Sequence, residues 1–381
     1  MKKATINTLL ICDDVPSSSY GTGQRLLAIK LSLDTLGECR ILHLSDGIKP
    51  AELKDEDYMA PRPLSMTSTK LNYVKNHLSL KKFRFDNKYE RYINDIKQSF
   101  QYDVVVCSFL RNSPAVPNAD TPCILDLDAV EEPNSLFTKL LWPYTKWRMR
   151  LRAFDFTKIF IIRPRDKSLF GLNLVNKVVY LPGFSASAKA VEPTTYVKNQ
   201  SVLIVGSMHW PPNKEAVESM IVMGLPAILA SRGWYLRLVG SGTDAYEKVS
   251  GVSSAGFVDN IQDEYNQAGI VACAISSGSG ANIKLAEAIQ MGCAVVATKH
   301  SAMAYEGFLQ PGHHLLVGDN QKDFFDKMLY AIDNQSARKD LEKNAHDFSV
   351  KYLNQSVFSQ IVVKAVEEAV KYTIVEQSIK E

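Results

Sequence analysis

Ten short apolar runs, rich in Val, Ile and Leu, constrain the fold of this chain more than any other feature. The first series is TLLIC (8–12), RILHL (40–44), DVVVCS (103–108), CILDLD (123–128), KIFIIR (158–163) and KVVYLPG (177–183). A second series follows: SVLIVGS (201–207), YLRLVGSG (235–242), GIVACAI (269–275) and CAVVAT (293–298). Continuous apolar runs of this length, separated by amphipathic stretches, read as parallel strands buried on both faces by helices. The pattern predicts an α/β chain of two doubly wound halves. Between the series, PGFSASAKAVEPTTYVKNQ (182–200) lacks apolar periodicity and reads as a linker. Three helical stretches, 321–335, 337–350 and 355–378, follow Asp319. We expect one domain over 1–185, a second over 198–350, and a C-terminal helix over 351–381 that can pack on either, the first being the choice we adopt.

The chain has 381 residues, enough for two cores, and 46% of them are hydrophobic, so disorder is excluded. A net charge of +3 is too small to argue for nucleic acid. Cys12, Cys39, Cys107, Cys123, Cys273 and Cys293 show no zinc spacing and sit in or beside apolar runs, so they read as reduced core thiols and imply a cytoplasmic protein. The apolar run TLLIC is too short for a signal peptide, and no stretch approaches the ~20 apolar residues that cross a bilayer. Lying on the inner face of a membrane stays open. No cluster with metal-ligand spacing occurs, and none is expected.

The most informative segment is SSGSGANIKLAEAIQMGCAVVAT (276–298), where a glycine-bearing turn leads into a helix that ends at Gly292 and feeds a strand. Gly278 and Gly280 permit close backbone approach, and the free N–H groups near Ala281 to Ile283 form a positive pole suited to a diphosphate. Ser279 and Asn282 add a hydroxyl and an amide. Lys284 lies in the first turn, where a cation opposes the helix macrodipole unless an anion neutralises it. Glu287, three residues on, shares its face and can accept two ribose hydroxyls. The alternative is an ordinary βα turn followed by a solvated i, i+3 ion pair.

This segment resembles the donor-binding signature of glycosyltransferase family 4, the glycosyl transferases group 1, which have the GT-B fold. Gly278, Gly280, Lys284, Glu287, Ala288, Gly292, Val295 and Val296 match it in register. IVGSMHWPPNKEAV (204–217), LRLVGSG and GFVDNIQDEYNQAGI extend the resemblance over roughly 200–320. It implies two Rossmann-like doubly wound domains facing a central cleft, with a nucleotide-sugar as co-substrate and no other cofactor. Base would sit near Gly240, Phe257 and Val258, ribose on Glu287 and phosphates on the 278–284 loop. Two departures stand out. Many members carry a second glutamate eight positions before the first, where this chain has Ser279. Many also place Arg and Lys after the first strand of this domain, where this chain has His209, Trp210, Asn213 and Lys214. Lys214 either substitutes in part or caps a solvated helix start.

In the first half, CDDVPSSSYGTGQRLLAIKL carries Gly21 and Gly23 before a helix and is similar to the acceptor-side glycine loop of GT-B enzymes. Phosphate contact by Gly23 and Arg25 is the expectation it raises. Asp126 and Asp128 end an apolar strand, and Asp13 follows another, the positions where α/β sheets hold ligand-contacting groups. Each is a candidate to orient an acceptor hydroxyl, or else caps a segment or binds a basic residue of the same domain. KLLWPYTKWRMRLRAF (139–154) interleaves aromatics with five cations and has no acid, and another basic stretch, KNHLSLKKFRF (75–85), lies in the same half. The first is either a lipid-facing helix on anionic membrane or a core helix with a basic face.

The resemblance thus implies a retaining glycosyltransferase moving sugar to a glycan or lipid-linked acceptor, in surface polysaccharide or glycolipid biosynthesis. The rivals are a non-catalytic GT-B-like binding subunit and a sugar-nucleotide epimerase.

Overall fold

The computed structural model describes residues 5–18, 21–47, 49–62, 87–117, 121–127, 130, 136–188, 197–278, 280 and 282–380. It divides into two compact units, Met1–Pro182 with Phe358–Glu381, and Gly183–Val357. Asp128, Ser279, Ala281 and the basic stretch 75–85 lie outside the described residues.

The first unit is built on a seven-stranded parallel sheet. Its strands are β1 (Thr8–Cys12), β2 (Cys39–Leu44), β3 (Tyr58–Ala60), β4 (Val104–Ser108), β5 (Cys123–Leu127), β6 (Lys158–Ile161) and β7 (Val178–Tyr180), in the order β3-β2-β1-β4-β5-β6-β7. Every residue of β1, β4 and β5 is buried, as central strands covered on both faces must be. The chain crosses between them through α1 (Gly21–Leu33), α2 (Glu90–Ser99) and α3 (Leu136–Ala153). A core of Leu9, Ile11, Leu42, Val105, Leu125 and Ile159 joins the sheet to Ile93, Ile96, Met149 and Ala153 of the helices.

The second unit repeats the plan with six parallel strands. These are β8 (Ser201–Val205), β9 (Tyr235–Val239), β10 (Val252–Ser254), β11 (Ile270–Cys273), β12 (Val295–Thr298) and β13 (Leu316–Gly318), ordered β10-β9-β8-β11-β12-β13. Its helices are α4 (Pro211–Val222), α5 (Leu225–Ala230), α6 (Ile261–Gln267), α7 (Ile283–Gln290), α8 (Lys299–Ala302), α9 (Gln321–Asp333) and α10 (Gln335–Tyr352). The last helix, α11 (Gln355–Lys380), buries Phe358, Val362, Ala365, Val366 and Ala369, one stripe at helical spacing. Ser359 Oγ meets Ser32 Oγ of α1 at 2.9 Å, and Lys158 Nζ reaches Glu368 at 2.5 Å, so this helix is bound to the first unit.

The apolar pattern missed three strands: β3, β10 and β13. Each has three residues and pairs on one side only, at a sheet edge, so it carries too little apolar sequence to stand out. Ser185 belongs with the second unit rather than the first, because its backbone N–H donates to Gln290 Oε1 at 3.0 Å.

One buried ion pair ties the first unit together. Arg25 of α1 and Asp126 of β5 are each 1% exposed and 2.7 Å apart. The guanidinium forks onto both carboxylate oxygens and donates to the Leu181 and Pro182 carbonyls at 3.2 Å. Arg25 therefore has a structural task, and the expectation that it contacts phosphate is corrected. Removing one partner strands the other's charge in a dry core, at a cost of about 3–5 kcal/mol. We expect Arg25→Met and Asp126→Asn each to lower the urea midpoint accordingly; a change within about 0.5 kcal/mol in both would contradict the assignment.

Candidate functional site

In a doubly wound sheet the strand order reverses at one point, where adjacent loops diverge and leave a crevice at the carboxyl ends of the strands. In the second unit that point lies between β8 and β11. A cavity of about 20 Å³ sits there, lined by Val205, Asn213, Cys273, Ile275, Asn282 and Lys284. It has room for about one water molecule, so it is the floor of a site and not a ligand pocket.

Glycines let the strand ends converge. Gly240, just after β9, has φ +134°, and a Cβ there would stand 2.2 Å from the Gly206 carbonyl oxygen after β8. Its N–H donates to the Gly256 carbonyl at 2.7 Å, which draws in the loop carrying Val258, half-buried, and the largely exposed Phe257. The loop after β8 is held by Asn213, whose amide donates to the Ser207 carbonyl at 2.9 Å. Asn213 is buried, spends one amide N–H on that carbonyl and lines the floor cavity. Lys214 is exposed on α4, 3.8 Å from Glu218 one turn on. His209 is exposed on the same loop.

After β11 the chain enters the glycine loop. A Cβ on Gly278, which has φ +113°, would stand 2.9 Å from the Trp210 ring, so the two loops touch there; Gly280 has φ +86°. Asn282 is the N-cap of α7, its side chain makes no capping bond, and its carbonyl accepts the Tyr305 hydroxyl at 3.1 Å. Leu285 N–H is bonded back to the Asn282 carbonyl at 2.9 Å, so the N–H groups of Ile283 and Lys284 precede the helical ladder. Lys284 is half-buried with Nζ 5.8 Å from the Trp210 ring centroid.

One turn further on, Glu287 is 8% exposed; Oε1 accepts the Ser185 hydroxyl at 3.1 Å and Oε2 the Tyr265 hydroxyl at 2.9 Å. Burial holds its pKa above the ordinary carboxylate range, opposed by those two hydrogen bonds and by Lys284. Burial also depresses the Lys284 ammonium, opposed by Glu287. A solvated surface pair shows neither effect, so that alternative is excluded. Ser185 and Tyr265 carry no sequence signal, because both reach Glu287 only through tertiary packing.

The first unit has its own reversal point, between β1 and β4. Asp13, after β1, is buried and accepts Arg111 at 2.8 and 3.2 Å and the Asn112 amide at 2.7 Å. Around it, His43 Nδ1, Ser108 Oγ, Asn112 Oδ1 and Ser113 Oγ are buried with no hydrogen-bond partner among the described residues. Burial, helped by Arg62 and opposed by Asp13 and Asp14, lowers the His43 pKa. Phe109 holds φ +63°, which is strained for an aromatic residue, with the Arg111 guanidinium 3.7 Å from its ring centroid. Sequence reading found Asp13 but not His43, Arg111 or Asn112. Asp126, whose backbone carbonyl accepts Phe109 N–H at 2.8 Å, has both carboxylate oxygens bonded to Arg25. Gly23 lies in the first turn of α1, and its carbonyl accepts Ser17 N–H at 3.1 Å.

Residues 199–334 match the family model described as glycosyl transferases group 1. A glycosyltransferase from Rickettsia africae ESF-5 has a TM-score of 0.67 at 13% identity, over 96% of this chain and 99% of that one. Anabaena HepE in complex with UDP and glucose has a TM-score of 0.66 at 12% identity, over 95% and 99%. A Staphylococcus aureus TarM mutant in complex with fondaparinux, α-GlcNAc-glycerol and UDP has 0.66 at 10%, over 95% and 99%. No curated protein matches the chain in sequence. The fold is GT-B, two Rossmann-like units. The stretch similar to the group 1 glycosyltransferase model lies in the second unit.

The Glu287 contacts give a pH-dependent expectation. A carboxyl group whose folded pKa is raised binds more protons folded than unfolded, so its contribution falls as pH rises from about 4.5 through the folded value. Tyr265→Phe removes one donor to the charged form and pushes that pKa higher. We expect the variant to lose about 1–3 kcal/mol at neutral pH and less below pH ~4.5, by urea unfolding. An equal loss at both pH values would show that Tyr265 acts through packing alone.

Proposed function

We propose that this protein transfers a sugar from a nucleotide-sugar donor to a glycan or lipid-linked acceptor, in surface polysaccharide or glycolipid biosynthesis. The observation that carries the reading is the placement of Lys284 and Glu287 in the first turns of α7, half-buried and buried, at the reversal point of the second sheet. A half-buried lysine with a depressed pKa gains most from a dianionic partner, and the helix N-terminus adds uncommitted N–H groups on the same side. The ribose then approaches Glu287, whose carboxylate is already oriented by Tyr265 and Ser185. Phe257, exposed beside the Gly240 turn, offers a face for the base. UDP stands in the complexes of HepE and TarM and is the first nucleotide to test.

In the reaction the bond from the sugar's anomeric carbon to the diphosphate oxygen breaks with its electron pair on oxygen. Lys284 and the α7 start stabilise that charge, without a divalent ion in the assignment. The acceptor hydroxyl forms the new bond, and its proton passes to the departing phosphate oxygen, which needs no strong protein base and suits retention of configuration. Asp13, fixed by Arg111 and Asn112, positions the acceptor hydroxyl. The lack of a carboxylate at Ser279 specifically favours one second reading, a subunit that binds nucleotide without turnover.

A thermal-shift and calorimetric screen against UDP, GDP, ADP, CMP and their sugar conjugates tests the donor assignment. Lys284→Ala and Glu287→Ala should each weaken the responding nucleotide by about 10- to 100-fold, the loss of one charge-assisted contact. Unchanged affinity in both sinks the site. Binding should also take up protons at alkaline pH, because a bound diphosphate raises the depressed Lys284 pKa, and Lys284→Met should abolish that uptake. Asp13→Asn should cut turnover about 100-fold or more while leaving nucleotide affinity unchanged. Tight donor binding with no transfer to any acceptor would establish the non-catalytic reading.

A further inference from the structure

Helix α3 is apolar on two faces: Met149 and Ala153 enter the core, with Trp142 packed against it, and a second apolar set is exposed. Leu140, Trp147, Leu151 and Phe154, on the helix and the residue after it, are 47–72% exposed. At 100° per residue they fall within about 60° of one another, a single stripe facing solvent. Pro143, also exposed, lies at the same face. Two cations are also drawn in beside the core residues: Arg148 is buried, with its guanidinium 5.8 Å from the Tyr144 ring, and Arg152 is half-buried. Burial and the neighbouring Arg148 push Arg152 down to about 10. A helix that only had to pack on its own unit would need one apolar face and not two.

Lys139, Lys146 and Arg150 run along one edge of the stripe, and no acidic residue occurs from 136 to 154. Arg150 Nε donates to the Leu169 carbonyl, which fixes the following loop beside the helix, and that loop presents Leu172, 90% exposed. Among the described residues no helix is long and apolar enough to cross a membrane, so a bilayer contact here lies in the surface plane. Contiguous exposed apolar residues of this kind mark a docking surface. A tryptophan and leucines edged by cations match the boundary between anionic headgroups and acyl chains better than a protein partner, which would supply acidic groups at fixed points.

We propose that the α3 stripe, with Leu172, seats the first unit on an anionic lipid surface, the apolar residues entering the acyl boundary and Lys139, Lys146 and Arg150 meeting headgroup charge. The proposal stands independently of the transfer reading, since it uses no nucleotide and no residue of the candidate site.

Co-sedimentation with vesicles of phosphatidylcholine alone, and with a quarter of the lipid replaced by phosphatidylglycerol, tests it. The full chain should bind the anionic vesicles, bind pure phosphatidylcholine at least about tenfold more weakly, and be released by half-molar salt. Trp147→Ser with Phe154→Ser should weaken binding at least about tenfold, and Lys139→Gln with Lys146→Gln should weaken it and flatten the salt response. Lys139, Trp147 and Phe154 are exposed and Lys146 is half-buried, so the variants should keep the parent's urea midpoint to within about 0.5 kcal/mol. Trp147 fluorescence should shift to the blue on vesicle addition, a shift that Trp147→Phe removes. Binding unaffected by either pair, or no vesicle binding, overturns the proposal. Concentration-dependent association abolished by Trp147→Ser, without vesicle binding, would assign the stripe to a second copy of the chain.

Discussion

Parallel strands cannot be joined by tight turns, so each crossover must travel over a face of the sheet, and every strand of a unit ends at the same edge. In both units the crossovers run one way from β1 or β8 and then the other, which parts the loops at a single place. Whatever polar groups follow the two central strands are gathered there without any local sequence relation. Asp13 meets Arg111 and Asn112 across 98 and 99 residues for this reason, and Gly206 meets Gly240. The arrangement also needs the outer strands to stay in place. In the first unit that work falls to the Arg25–Asp126 fork, which links α1 to β5 and to the carbonyls after β7. Its cost in desolvation is offset only because each charge-bearing atom has a partner.

The second unit follows a different electrostatic plan. Lys284 and Glu287 lie on successive turns of one buried helix, and burial works against the charge of both. Hydroxyls from Tyr265 and Ser185 satisfy the carboxylate, whereas among the described residues the ammonium makes no ion pair and lies 5.8 Å from the Trp210 ring centroid. A site so biased is weakly paired on its cationic side. On the proposed reading, a diphosphate completes it, and the loss of the family's second carboxylate at Ser279 leaves selection of the sugar to other groups.

The central strands were legible because burial on both faces demands apolar residues at every position, as in TLLIC and SVLIV. The glycine turn and α7 were legible through spacing, since positive φ at Gly278 and Gly280 and the end at Gly292 are local requirements. What spacing could not reveal was how donors are spent. Arg25, Asn213 and Lys214 all looked suited to an anion, yet one is consumed by Asp126, one gives an amide N–H to the Ser207 carbonyl, and one faces Glu218. Hydrogen-bond capacity is a property of residue type, but its use is decided by tertiary neighbours. The same limit hid His43, Tyr265 and Ser185.

Helix α3 shows the converse case, where composition left two readings open and only orientation separates them. Trp, Leu and five cations over one helix satisfy both a core-packing and a surface-docking description. In the first, the apolar groups turn inward and the cations reach water. In the folded unit Met149 and Ala153 alone of the apolar set are fully inside, while Leu140, Trp147, Leu151 and Phe154 stay outside and Arg148 is covered. Burying a guanidinium while leaving an indole in water is unfavourable on both counts when water is the only neighbour. The sequence retains that arrangement over four helical turns, which is intelligible if the surface this helix meets is apolar and negatively charged.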